Sequence, residues 1–426
     1  MDSIVYIVYI AIILLVGMVC SFISNKLKIP NILLLILAGM GLQYIEYEGQ
    51  KLMVFPSSFL TTISIFALAM IVFDACSRLK IKEFDTFSTK ALKLSFVFLI
   101  LNIIILTIAT KLIFQIQSVL LILIFATLMS GTSPSAILMM FKGKVSKVAE
   151  LLKIESIINT PLVVLLPFII LDIMSRTVLA PKLSISTVFI QQLGPFLLQF
   201  IVGIGTGILV GLIATRFFKT KYSKTLSPLA LIATVLLTYG MAEVLQGNGV
   251  LAVTIFGLFF GNMFIREKGQ LHEFSATIAE FLEIFIFVLI GLIITIPFEK
   301  TFIISTLVLF GIYLCIRFIA IMICFKYHEF KLKEKIFMAL NVQKGIAVAT
   351  VAIGLISYQL NHIAFISGIE KIASMPFIEV LGANQILNLT LAFMLLSIIL
   401  STIVMKFSKY FLKEEKIDKT RTSGDW

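Results

Sequence analysis

Three short stretches of this chain place helix-breaking residues beside oxygen-bearing ones. The first is Gly131-Thr132-Ser133-Pro134 and the second Glu155-Ser156-Ile157-Ile158-Asn159-Thr160-Pro161. Pro134 has no N–H to give and, beside Gly131, cannot keep a helical hydrogen-bond ladder closed. Ser156, Asn159 and Thr160 lie three and four positions apart, so they share one face of a helix. The third stretch, Asn341-Val342-Gln343-Lys344-Gly345, puts amides, a lysine and a glycine in the middle of another apolar run. Backbone freed inside a bilayer persists only where protein or a water-filled cavity satisfies it, which leaves its carbonyls available to ions. Hydroxyl, amide and carbonyl oxygens are suitable ligands for a monovalent cation. The chemistry these residues point to is ion handling between two helices.

The elements that must hold them are membrane helices. Hydrophobic residues are 59% of the 426 and charged residues 14%, with mean hydropathy +1.08; a soluble domain carries roughly 25% charged residues. The fold expected is therefore an all-α polytopic membrane protein. No positive segment precedes the first apolar run and no small-residue cleavage site follows it, so that run does not read as a cleaved signal. Cys20, Cys76, Cys315 and Cys324 fall in apolar segments and give no disulfide framework or metal-ligand spacing. His272, His328 and His362 are scattered. No loop pairs carboxylates or histidines as an enzyme site would, and nothing calls for a cofactor.

Apolar runs of spanning length lie near 4–24, 31–45, 58–79, 94–114, 117–140, 154–175, 187–217, 226–246, 248–264, 275–297, 302–324, 335–358 and 384–408, thirteen in all. With the N-terminus outside, 27 of the 35 basic residues fall in cytoplasmic loops and the tail, six fall outside and Arg317 and Lys344 lie within spans. Lys and Arg accumulate on the cytoplasmic side, so this bias supports the count and sets N-out, C-in. The net charge of +12 then faces anionic lipid rather than nucleic acid. The interrupted spans 5 and 12 stand seven apart, which suggests two inverted repeats, about 4–175 and 226–408, joined by a linker helix at 187–217. Residues 1–408 form one transmembrane domain on this reading, and 409–426 a polar cytoplasmic tail. Breaks at matching places in inverted halves mark a transporter's binding site.

At these residues the chain resembles the monovalent cation:proton antiporter superfamily, in particular thirteen-span prokaryotic sodium/proton antiporters. Phe73-Asp74-Ala75-Cys76-Ser77-Arg78-Leu79 is similar to the family's Phe-Glu/Asp-Gly-Gly-Leu-Arg-Leu, Gly131–Pro134 to its Thr-Asp-Pro break, and Glu155–Pro161 to its Glu-Ser-Leu-Leu-Asn-Asp helix. Asn248–Val253 resembles its Ser-Gly-Val-Leu-Ala-Val run, and Phe285–Gly291 and the span around Lys344-Gly345 match in order and spacing. The resemblance implies inverted repeats with two crossing, unwound helices, a homodimer in the cell membrane, and exchange of sodium, lithium or potassium for protons at one carboxylate.

The chain departs from that pattern where the carboxylates should be. The aspartate of Thr-Asp-Pro is Ser133, that of Asn-Asp is Thr160, the acid ahead of the span 12 arginine is Asn341, and that arginine is Lys344. The candidate ion-binding and coupling set is Asp74, Thr132, Ser133, Ser156, Asn159 and Thr160. Asp74 is read either as the coupling acid lining the cavity or as an interfacial i,i+4 partner of Arg78; the hydroxyls and amide either as ligands or as interhelical glue. Glu155 and Lys344 are read as a structural ion pair clamping spans 6 and 12, with Lys344 alternatively neutralising the negative ends of broken helices. Gly131, Pro134 and Gly345 mark the breaks. Arg317 has no evident partner; Glu243, Glu280 and Glu283 are its candidates. The leading function is secondary cation:proton antiport by alternating access, with an uncoupled cation transporter and a non-transporting membrane sensor as alternatives.

Overall fold

The structure, a computed structural model, describes the whole chain except residues 1, 28, 48–49, 52, 54, 79–85, 134–145, 180–184, 221–222, 265–266, 294–296, 298, 327, 346, 354, 356–375 and 413–426. Apart from a two-residue hairpin, β1 (Glu46–Tyr47) with β2 (Gln50–Lys51), the described elements are helices. In order they are α1 (Asp2–Leu27), α2 (Asn31–Gln43), α3 (Ser57–Ser77), α4 (Thr86–Leu101), which passes through a π-helical turn (Asn102–Leu106) into α5 (Thr107–Phe114), and α6 (Val119–Leu128). Then come α7 (Lys147–Leu179), α8 (Ile185–Thr220), α9 (Leu226–Val244), α10 (Gly249–Asn262), α11 (Lys268–Ile293) and α12 (Lys300–Cys324). The last are α13 (Leu332–Leu340), α14 (Pro376–Lys406) and α15 (Ser408–Phe411), with a further helical stretch at 347–353.

Among the described residues nine helices are long and apolar enough to cross a membrane, and three shorter apolar ones are α2, α6 and α10. Helices apolar on every side are what a bilayer or a deep core demands, and their ends carry the stop signals. Pro30 and Pro56 stand just before α2 and α3, where a missing N–H costs nothing. The Asn248 side chain accepts the Leu251 N–H at 2.9 Å to cap α10, and Gln115 closes α5 in the left-handed region.

Close backbone approach decides which helices pair. Helix α2 lies along α11: a Cβ on Gly39 would sit 2.3 Å from the Val288 carbonyl, and one on Gly291 2.3 Å from that of Ile36. Helix α10 packs on α3 at Gly257, where a Cβ would meet the Phe73 carbonyl at 3.1 Å. Span 2 thus pairs with span 10 and span 3 with span 9, and a shift of seven spans turns each pair into the other. The stripe of Gly203, Gly207 and Gly211 on α8 faces α10, so its use is packing within the chain.

Candidate functional site

Two interruptions meet at the centre of the helical bundle. Helix α6 tightens at its end, with the Ser130 and Gly131 N–H groups reaching Thr127 and Leu128 carbonyls, and residues 131–133 leave the helix. Helix α13 stops at Leu340, residues 341–345 are non-helical, and helix resumes over 347–353. The segments are joined where the Ser133 N–H donates to the Gln343 carbonyl at 2.8 Å. Gly345 has to be glycine for this crossing, since a Cβ there would stand 2.6 Å from Ser133 Oγ. The breaks expected at Gly131 and Gly345 are therefore observed, while Pro134 lies outside the described residues.

Lys344 sits in the second break and is fully buried. Its ammonium donates to the carbonyls of Met129 at 2.6 Å and Gly131 at 2.7 Å and to the Tyr313 hydroxyl at 2.7 Å. A lysine has three N–H donors, so all are engaged. The carbonyls belong to the C-terminal end of α6, where the helix dipole is negative. Its backbone N–H is held by Ser397 Oγ of α14 at 3.1 Å.

The expected clamp between Glu155 and Lys344 is not the one formed. Both oxygens of Glu155, on α7, are taken by Arg317 of α12, at 2.5 and 2.6 Å, with both side chains fully buried. The guanidinium fork matches a carboxylate with two parallel bonds, whereas an ammonium suits scattered carbonyls. Arg317 also lies over the Phe98 ring, 4.6 Å from its centroid. Of the acids proposed for it, Glu243 instead accepts the Gly249 N–H at 2.8 Å. The sequence pairs Glu155 with Lys344 and offers Arg317 only Glu243, Glu280 and Glu283, because nothing local links partners that stand 162 positions apart.

Beside the crossing lies a cavity of about 30 Å³, lined by Gly131, Thr132, Ser133, Asn159, Thr160, Val163, Gly345, Ala347 and Val348, with Ile71 and Ala75 of α3 on the facing wall. Asn159 Nδ2 donates to Thr132 Oγ1 at 3.0 Å, while its Oδ1 is buried with no hydrogen-bond partner among the described residues. The Thr160 hydroxyl gives its proton to the Ser156 carbonyl at 2.7 Å, leaving oxygen lone pairs free to accept. Ser156, whose hydroxyl donates to the Lys153 carbonyl, is buried but does not line the space. Four of the six candidate ligands are thus gathered around one cavity. Asp74 is not among them: it is turned toward Arg78, which it meets at 3.0 and 3.1 Å, because Ile71 and Ala75 occupy the cavity-facing phase of α3.

Apolar helices broken in mid-span and crossing beside a small oxygen-lined cavity make up the architecture of a membrane transporter. The chain belongs to the family described as sodium/hydrogen exchanger, transmembrane, whose model matches residues 10–408. It is 26% identical to the probable Na(+)/H(+) antiporter 2 of Methanocaldococcus jannaschii over 94% of this chain and 95% of that protein. It is 24% identical to the K(+)/H(+) antiporter NhaP2 of Shewanella oneidensis, matching 66% of this chain and 48% of that longer protein. Its fold matches the solved structure of the sodium proton antiporter MjNhaP1 from Methanocaldococcus jannaschii with TM-score 0.75, at 21% identity and with 95% and 99% of the two chains covered.

Proposed function

We propose that this protein exchanges a monovalent cation, sodium foremost, for protons by alternating access, as a homodimer in the cell membrane with its N-terminus outside. The observation that carries this reading is the crossing at Ser133 and Gln343 with its adjoining cavity: hydroxyl and amide oxygens converge there, and Asn159 Oδ1, unpartnered among the described residues, supplies an acceptor for a cation or a donor. A buried polar atom left unpaired calls for such an explanation. Sodium is preferred because the relative matched over 95% of its own length is named for sodium, while the potassium-named relative is matched over 48% of its own length. The pairing of spans 2 with 10 and 3 with 9 supports two inverted repeats, and the basic-residue bias supports the orientation.

A second reading, cation movement without proton coupling, is favoured by one feature: among the described residues no carboxylate lines the cavity. Purified protein in liposomes enclosing a pH-sensitive dye separates the two. Antiport gives a change of internal pH on addition of sodium, and lithium or potassium rank the selectivity. Uptake of radioactive sodium with no change of pH, once membrane potential is clamped, establishes the uncoupled reading instead.

A further inference from the structure

We propose that Lys344 carries the exchanged proton: its ammonium gives up a proton as the cation enters the cavity and regains one as the cation leaves. This rests on the antiport reading above and names the coupling group within it. Coupling needs an ionisable group whose charge the cation displaces, and among the described residues the cavity wall offers hydroxyl, amide and backbone oxygens. Glu155 is unsuited, because Arg317 holds both of its oxygens and a guanidinium does not release its proton. Asp74 faces Arg78 rather than the cavity.

Lys344 stands one carbonyl away. Its Nζ donates to the carbonyl oxygen of Gly131, and Gly131 and the neighbouring Gly345 both line the cavity. A cation there and the fully buried ammonium are like charges separated by one peptide group, so each disfavours the other. Among the described residues the ionisable groups acting on Lys344 are Tyr313 and Arg317 of α12 and Glu155 of α7; α6 presents carbonyls and α14 the Ser397 hydroxyl. Glu155 and Arg317 cancel as a pair. Lys344 is therefore a full charge held by partial charges at the end of α6, and a cation in the cavity meets those same partial charges.

The step balances simply. The N–H bond breaks, the proton leaves to water, and the electron pair stays on Nζ, where the Tyr313 hydroxyl can turn to donate to it. One cation replaces one proton, so the charge of the core is unchanged and exchange is electroneutral. A lysine amine can release its proton when buried, whereas an arginine cannot.

Wild type, K344R and K344Q in liposomes test this, with internal pH and radioactive sodium uptake followed together and folding checked by gel filtration and thermal unfolding. K344R should lose both sodium-driven proton movement and sodium uptake by at least about tenfold, because its charge is fixed. K344Q should keep sodium uptake, now independent of pH, and move no protons. A role confined to neutralising the helix end gives the reverse order, with arginine tolerated and glutamine damaging. Coupled exchange retained in K344R, or proton movement retained in K344Q, overturns the proposal; loss of exchange in D74N beside an active K344R would move the role to Asp74. Should a variant not fold, the wild type still decides: a rate that responds to an imposed potassium–valinomycin potential overturns one-for-one coupling. A wild type with sodium uptake but no proton movement sinks the antiport reading itself.

Discussion

The Arg317 guanidinium closes on both oxygens of Glu155 in a fully buried, two-point ion pair that ties α12 to α7. Removing one partner of such a pair strands the other charge without water, a loss of about 3–5 kcal/mol. E155Q is expected to lower the apparent unfolding temperature in detergent sharply. R317K should do the same, since an ammonium cannot reproduce the fork and gives up the contact with Phe98. Replacing both, as E155Q with R317M, should cost less than the two single losses added together, because no charge is left stranded. Additive losses would mean that the two side chains act separately.

The contact of Gly39 with Gly291 makes a steric prediction. A methyl on Gly291 would stand 2.3 Å from the Ile36 carbonyl and 2.7 Å from the Gly39 Cα, where only backbone can yield. Overpacking of this kind costs typically about 1–3 kcal/mol or more. G291A should therefore unfold at lower temperature than wild type, while G205A, which meets nothing within 4 Å, should not. Equal stability of the two variants would refute the helix pairing.

How much of this was legible beforehand depends on how local the cause is. The break at Gly131 follows from backbone chemistry within four residues, and the break before Gly345 from its polar run in an apolar span; both were readable. Family membership was readable too, because six stretches carry it in order. The partner of Glu155 was not, since Lys344 and Arg317 are equally cationic on paper. What separates them is geometry: a forked donor for a carboxylate against three single donors for two carbonyls and a phenol. Asp74 turned on helix phase, because Ala75 rather than its neighbour faces the cavity, and one residue is about 100° around a helix.

Orientation can be checked on exposed lysines. Lys111, near the end of α5, is assigned outside, and Lys219, near the end of α8, inside; both are exposed. With Cys20, Cys76, Cys315 and Cys324 replaced, Lys111→Cys should react with an impermeant thiol reagent in intact cells, and Lys219→Cys only after the membrane is opened. Reaction of both from one side would break the thirteen-span count, which rests on the bias of Lys and Arg toward the cytoplasm.

The last prediction concerns Thr160, which lines the cavity and spends its hydroxyl proton on the Ser156 carbonyl. Aspartate at this position differs little in size and places a carboxylate among neutral oxygens. A unit charge about 4 Å from a bound cation is worth about 4 kcal/mol at an effective dielectric constant near 20, of which the cost of burying the new charge removes a part. T160D should therefore bind sodium at least about tenfold more tightly, a change of roughly 1.4 kcal/mol. The same carboxylate titrates, so it adds a proton competing directly with the cation, and half-saturation by sodium should rise as pH falls. The measurement is the sodium dependence of proton movement in liposomes at several pH values, beside wild type. An unchanged sodium dependence in a well-folded T160D variant would mean that Thr160 serves packing and that the cation is held elsewhere.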